Sequence, residues 1–212
     1  MLSEGTVRIL FSKTGKIRYI SHLDLCRTLK SAFIRAKVPL KYSEGFNPRP
    51  KMVFALTVSV GAESLCELLD IGITEPMDEN DLCSRLAGAL TGDIGIIRVY
   101  NPTTKFTSLA WSDYTVTAEH PFVADELDGI FSKPMIVEKH GKKGNVETDI
   151  QPLVKAYSAE ADRLFLTLSA SQSAFLNPEY VMKAINAATD NRYSFYSIVR
   201  TSVYDADMKV FE

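Results

Sequence analysis

The feature that most constrains this chain is a switching hydrophobic period, which reads strand, helix, strand, strand, helix, strand between Thr6 and Tyr100. Residues 6–11 (TVRILF) are β-branched and apolar, and Gly15 in the following SKTGK marks a bend. A strand is therefore expected to continue, kinked, through residues 17–20. Ser21, His22, Leu23 and Asp24 match a capping box, in which the serine hydroxyl accepts from the backbone N–H three residues on and the acid reaches back. A helix should begin at His22. Leu25, Cys26, Leu29, Ala32, Phe33 and Ala36 share its apolar arc, while Arg27, Lys30, Ser31, Arg35 and Lys37 lie outside it, and Pro39 predicts an end near Val38.

Residues 41–50 carry Gly45, Asn47, Pro48 and Pro50, which fix a backbone path but exclude regular ladder pairing at the prolines, so they read as a shaped loop. Residues 52–60 (MVFALTVSV) then read as a buried strand, paired in a hairpin with residues 66–74 (CELLDIGIT). A helix over residues 78–90 has an acidic first turn and stops at Thr91 and Gly92, and residues 94–100 close the half as a strand. This is the split βαβ order of a ferredoxin-like fold.

After a polar linker with Pro102, the same grammar returns: strand 113–118, helix 121–131, strand 133–139, a basic hairpin turn at 140–145 and a returning strand at 146–153. A turn at 159–161 precedes strand 162–170, Asn177, Pro178 and Glu179 start a helix, and residues 193–203 supply the last strand. The expected fold class is α+β, with two tandem ferredoxin-like (βαββαβ) halves at residues 1–101 and 109–212, the second carrying an inserted β-ribbon.

Charge is divided unevenly. Residues 1–51 hold eleven Lys and Arg against three Asp and Glu, net +8, and the remainder thirteen against twenty-three, net −10. The whole-chain value of −2 hides this asymmetry, which points to an anionic partner for the first segment. With 212 residues and 46% apolar content, a core forms without disulfide or metal staples. Cys26, Cys66 and Cys83 are an odd number at wide spacings, fitting neither a disulfide framework nor a C-x-x-C site, so reduced thiols in a cytoplasmic protein are expected. No apolar run approaches the roughly 18 residues needed to cross a bilayer, and no signal-peptide pattern opens the sequence, so no membrane partner is expected.

The strings FSKTGKIRYISHLDL, YSEGFNPRPKMVFAL, GAES and ELLDIGI together resemble the bacterial family called radical-SAM-linked proteins, a domain of unknown function. The likeness covers roughly residues 6–100, with thinner support where the later basic turn runs into VETDIQPLV. That family is similar to an extension fused to radical S-adenosylmethionine proteins, or to a separate protein encoded beside one. The resemblance implies a partnership with such a protein and a shared surface at Ser21, His22, Asp24, Tyr42, Glu44, Gly45, Phe46, Asn47, Pro48 and Lys51. Radical chemistry itself needs grouped thiolates around an iron–sulfur cluster, which this chain lacks, so it is expected to belong to the partner.

His22 stands in a position that suits a catalyst, at a helix start beside Arg18 and near Tyr19 and Asp24. A triad from Ser21, His22 and Asp24 is excluded, because residues one and two apart on a helix do not face each other. His120 and His140 read as surface or turn residues, and Asp78, Glu79 and Asp81 as a helix first turn instead of a metal site. No nucleotide-binding glycine pattern is present, and no cofactor is expected in this chain. The remaining signal is a basic surface with aromatics: Lys13, Lys16, Arg18, Tyr19, Arg27, Lys30, Lys37, Lys41, Tyr42, Phe46, Arg49 and Lys51, joined by His22, Glu44 and Asn47 as binding residues. The leading expectation is a non-catalytic accessory module that recruits RNA for a radical S-adenosylmethionine protein. A metal-independent endoribonuclease with His22 as general base, similar in outline to CRISPR repeat-processing enzymes, and a pure protein-interaction domain stand beside it.

Overall fold

The computed structural model describes residues 1–141 and 144–212. It is an α+β chain with ten strands and four α-helices among the described residues, divided into a first compact unit, Met1–Phe106 with Glu212, and a second, Thr107–Phe211.

The first unit runs β1 (Gly5–Lys13), a 3-10 turn (Gly15–Tyr19), α1 (His22–Arg35), β2 (Met52–Phe54), β3 (Glu63–Ile73), α2 (Glu79–Ala89) and β4 (Ile94–Tyr100). β1 pairs antiparallel with β3 and β4, and β2 antiparallel with β3, giving the order β4-β1-β3-β2. The two-residue side-chain period of a strand puts Val7, Ile9 and Phe11 on the same face as Leu69, Ile71 and Ile73. Leu25, Leu29 and Phe33 of α1 and Leu82 and Leu86 of α2 complete that core. Burying each such side chain contributes about 1.5–3 kcal/mol. On the opposite face Arg8 is 0% exposed. Its Nε and Nη2 donate to the two Asp70 oxygens at 2.7 and 2.9 Å, and its guanidinium lies 4.1 Å from the Phe106 ring centroid.

Several local readings are corrected. Residues 17–20 do not continue β1. Gly15 adopts φ +59, its N–H donates to Glu63 (3.1 Å) and that of Lys16 to Asp93 (3.2 Å), so the chain coils into a 3-10 turn. A Cβ on Gly15 would meet Asp93 Oδ1 at 2.7 Å. The strand expected over 52–60 shrinks to Met52–Phe54 and is only partly buried. Ala55 still donates to Leu68 O (3.1 Å), but Gly61 N–H is drawn to Arg18 O (2.9 Å), which takes the intervening chain off the sheet. Helix α1 ends at Arg35, before Pro39 would force it to. Lys37 at φ +53 closes a Schellman motif, with Val38 N–H on Phe33 O (3.0 Å) and Lys37 N–H on Ile34 O (3.1 Å).

The second unit runs β5 (Trp111–Ala118), α3 (Ala124–Phe131), β6 (Ile136–Gly141), β7 (Gly144–Asp149), β8 (Val154–Glu160), β9 (Arg163–Ser169), α4 (Pro178–Ala188) and β10 (Tyr196–Tyr204). Antiparallel pairs β10-β5, β5-β9 and β9-β8 give the order β10-β5-β9-β8. β6 and β7 pair with each other as a ribbon between α3 and β8. Of the basic turn expected there, Lys142 and Lys143 lie outside the described residues. The turn expected at 159–161 falls at Ala161, which adopts φ +52, and Asp162, and residues 154–160 before it form β8, where Tyr157 stacks on Phe131 of α3 with centroids 3.9 Å apart and donates its hydroxyl to Asp128 (2.8 Å).

Candidate functional site

Between α1 and β2 the chain bridges β3 at Ile73 through Leu40 and then makes a narrow excursion whose two ends meet at Gly72. Lys41 N–H donates to Gly72 O (2.8 Å), Gly72 N–H to Lys51 O (3.1 Å) and Lys51 N–H to Lys41 O (2.9 Å). A Cβ on Gly72 would fall 2.9 Å from Lys41 Cβ, so the close approach of the two lysine backbones depends on that glycine. Tyr42 bridges Pro50, Ser43 N–H donates to Arg49 O (2.8 Å) and Arg49 N–H to Ser43 Oγ (3.0 Å). Glu44, Gly45, Phe46, Asn47 and Pro48 form the exposed tip, with Gly45 at φ +119. Phe46 is 105% exposed and Tyr42 is also exposed.

The eleven expected cations of residues 1–51 separate into distinct environments. Arg8 is buried in its Asp70 pair, and Lys13 is 3% exposed, so neither belongs to an accessible basic surface. Arg18 pairs with Glu63 at 3.0 Å and donates to the Tyr19 hydroxyl at 2.8 Å. Arg27 pairs with Asp24 at 2.9 Å, and Arg35 donates to Ala89 O at 2.6 Å. Lys16, Lys30, Lys37, Lys41, Arg49 and Lys51 are exposed and have no carboxylate partner among the described residues.

At the start of α1 the capping reading holds with one change. Ser21 Oγ accepts from Asp24 N–H (3.1 Å), but the Asp24 carboxylate accepts a hydrogen bond from the Ser21 hydroxyl (2.7 Å) instead of reaching the backbone. That bond, followed by Arg27, holds the Asp24 carboxyl below the usual carboxylate range. Asp24 is thus committed to the cap and leaves His22 to other neighbours. The His22 ring meets Phe54 edge-on, with centroids 5.0 Å apart, and its Nε2 lies 3.5 Å from Cys26 Sγ. The i,i+4 spacing brings thiol and imidazole together, yet burial pushes the Cys26 thiol up, away from the thiolate that a Cys–His nucleophile requires.

His22 lines a cleft of about 280 Å³ with Lys13, Ile20, Ser21, Leu25, residues 57–60 and Glu67. Glu67 is 1% exposed. Lys13 is therefore not the surface cation expected from the sequence, and Glu67, Thr57 and Ser59 join the cleft with no sequence motif to mark them. The missed signal was parity: Lys13 sits two residues beyond Phe11 and Glu67 two before Leu69, each continuing a core-facing row with a charge.

An α+β chain with a basic, aromatic-tipped excursion and a polar cleft defines no known enzyme class by geometry alone. Residues 6–201 match the family described as "Uncharacterized protein conserved in bacteria (DUF2344)", and the chain belongs to that family. No curated protein matches it. Among solved structures, that of an unknown protein from Galdieria sulphuraria is 8% identical, with 95% of this chain and 98% of that chain covered at a TM-score of 0.28. DyPB from Rhodococcus jostii RHA1 is 12% identical, with 95% and 94% covered at 0.21. Neither likeness carries an argument about fold or function. No helix among the described residues is long and apolar enough to cross a membrane.

Proposed function

We propose that this chain is a non-catalytic accessory module that binds single-stranded RNA and presents it to a radical S-adenosylmethionine protein. Its two units are, on this reading, tandem ferredoxin-like repeats, supported by the strand order that each repeats. The observation that carries the RNA reading is Phe46, whose ring stands fully in solvent at the tip of an excursion bearing Lys41, Arg49 and Lys51. An exposed aromatic among cations without carboxylate partners suits an unpaired base flanked by phosphates. The motif strings support the partnership, and Cys26, Cys66 and Cys83 lie on three separate elements, α1, β3 and α2. The endoribonuclease alternative has weaker support, because no described carboxylate orients the His22 ring.

Gel-shift titration of the purified chain with short single-stranded RNA tests the reading. Phe46→Ala should weaken binding by about tenfold, the order expected for loss of one stacked base. Equal binding by the variant and the wild type, or no binding by either, contradicts it.

A further inference from the structure

We propose that one face of the excursion at residues 41–51 is a site for a phosphate monoester, and that it holds the terminal phosphate of a single-stranded RNA. The proposal rests on the RNA reading for the source of the phosphate and narrows that reading to strands with a phosphorylated end.

The two arms of the excursion run antiparallel about the bridge between Tyr42 and Pro50. On either side of that bridge Lys51 N–H donates to Lys41 O (2.9 Å) and Ser43 N–H to Arg49 O (2.8 Å), so Lys41 stands opposite Lys51 and Ser43 opposite Arg49. Side chains two residues apart on an extended arm share a face, which puts both pairs on the same side. A Cβ on Gly72 would lie 2.9 Å from Lys41 Cβ and 3.5 Å from Lys51 Cβ, so both lysines leave the backbone beside that glycine. Like charges set opposite each other destabilise a strand pair. Here the backbone junction at Gly72 holds two of them together, and Arg49 adds a third cation one pair further along. All three side chains belong to exposed residues, and none forms an ion pair among the described residues. Glu44, the one acid between Asp24 and Glu63, forms none either.

The charge on this face narrows the ligand. Pairs two residues apart are separated by about 6.6 Å of strand, a gap that lysine and arginine side chains close from both sides, so three cations serve one group. An internal phosphodiester brings a single negative charge, and a carboxylate brings one charge and two acceptor oxygens. A phosphate monoester brings about −1.5 to −2 at pH 7 and three acceptor oxygens. Arg49 grips two such oxygens as a fork, and the lysines supply point charges. Ser43 Oγ accepts from Arg49 N–H (3.0 Å), which leaves its hydroxyl proton to donate to the phosphate. Phe46 lies three residues from both Ser43 and Arg49, at most about 11 Å along the chain. One terminal nucleotide therefore meets the cations with its phosphate and the exposed ring with its base.

Fluorescence anisotropy with the full chain tests the assignment, using one internally labelled single-stranded RNA prepared with hydroxyls at both ends, with a 5′-phosphate or with a 3′-phosphate. One phosphorylated strand should bind about tenfold tighter than the hydroxyl-ended strand, the order of one further charge-assisted contact. Lys41→Gln with Lys51→Gln, checked for native circular dichroism, should abolish that preference. Phe46→Ala should weaken all three strands alike. Calorimetric titration of the wild type with AMP and adenosine provides a second readout that needs neither RNA nor variant. Equal affinity for all three strands overturns the terminal-phosphate site and leaves the RNA reading intact. A preference that survives in the folded double variant also overturns the site. If no strand binds but AMP is held and adenosine is not, the site stands with a free phosphate monoester as its ligand and the RNA reading falls.

Discussion

Where β1 meets β3 the first unit buries Lys13 and Glu67; at the corresponding end of β5 and β9 the second unit buries Ala118 and Leu164. The two units also differ in how their first helices begin. Ser21 caps α1 through its side chain, whereas Val123 precedes α3 with no side-chain cap. One strand order thus tolerates either a dry apolar end or a charged, open one. The charged end is a local feature of the first unit and not a requirement of the architecture.

The largest expected effect comes from the apolar side of this comparison. Leu164→Ala should cost about 2–5 kcal/mol, the usual price of a cavity in a packed core, as read by urea unfolding of the full chain. Copying the second unit into the first, with Lys13→Ala and Glu67→Leu together, should leave stability unchanged or raise it by about 1–4 kcal/mol, because apolar replacements remove the desolvation cost of both charges. A large loss in the double variant would mean that the charges hold the fold, and the comparison would break.

Helix caps sharpen the contrast at smaller scale. Ser21→Ala should destabilise by about 1 kcal/mol and Val123→Ser should stabilise by somewhat less, again by urea titration. Lys37→Gly should add about 0.5 kcal/mol, since glycine adopts the left-handed conformation there without a Cβ penalty. The smallest effect is a pH dependence. Ser21 first and Arg27 second lower the folded-state pKa of Asp24. Its contribution is therefore present above the ordinary aspartate value of about 3.9 and lost as pH falls through the lowered native value. The stability difference between wild type and Asp24→Asn should shrink across that acid range and stay constant above it.

Strong local signals made much of this legible in the sequence. Ser21 and Asn177 announced the starts of α1 and α4, and the isoleucine- and valine-rich run at Ile94–Tyr100, broken by Arg98, announced β4. Failures arose where a distant partner decided. Asp93 and Glu63 coil the chain after Gly15, Arg18 O captures Gly61, and Phe131 stabilises β8 through Tyr157 despite its weak strand composition. The site divided similarly. Tyr42, Phe46, Arg49 and Lys51 were readable as an exposed loop from Gly45, Pro48 and Pro50. Counting charge could not tell that Arg8 and Lys13 are buried, or that Glu67 faces the same cleft as His22.

The salt dependence of RNA binding tests the central claim most directly. Each phosphate contact to a single strand contributes about −0.7 to the slope of log K against log salt. The account predicts a steep slope for the wild type and one shallower by about 1.4 when Lys41→Glu and Arg49→Glu remove two such contacts. A flat dependence in the wild type, or the same slope in both proteins, would contradict it.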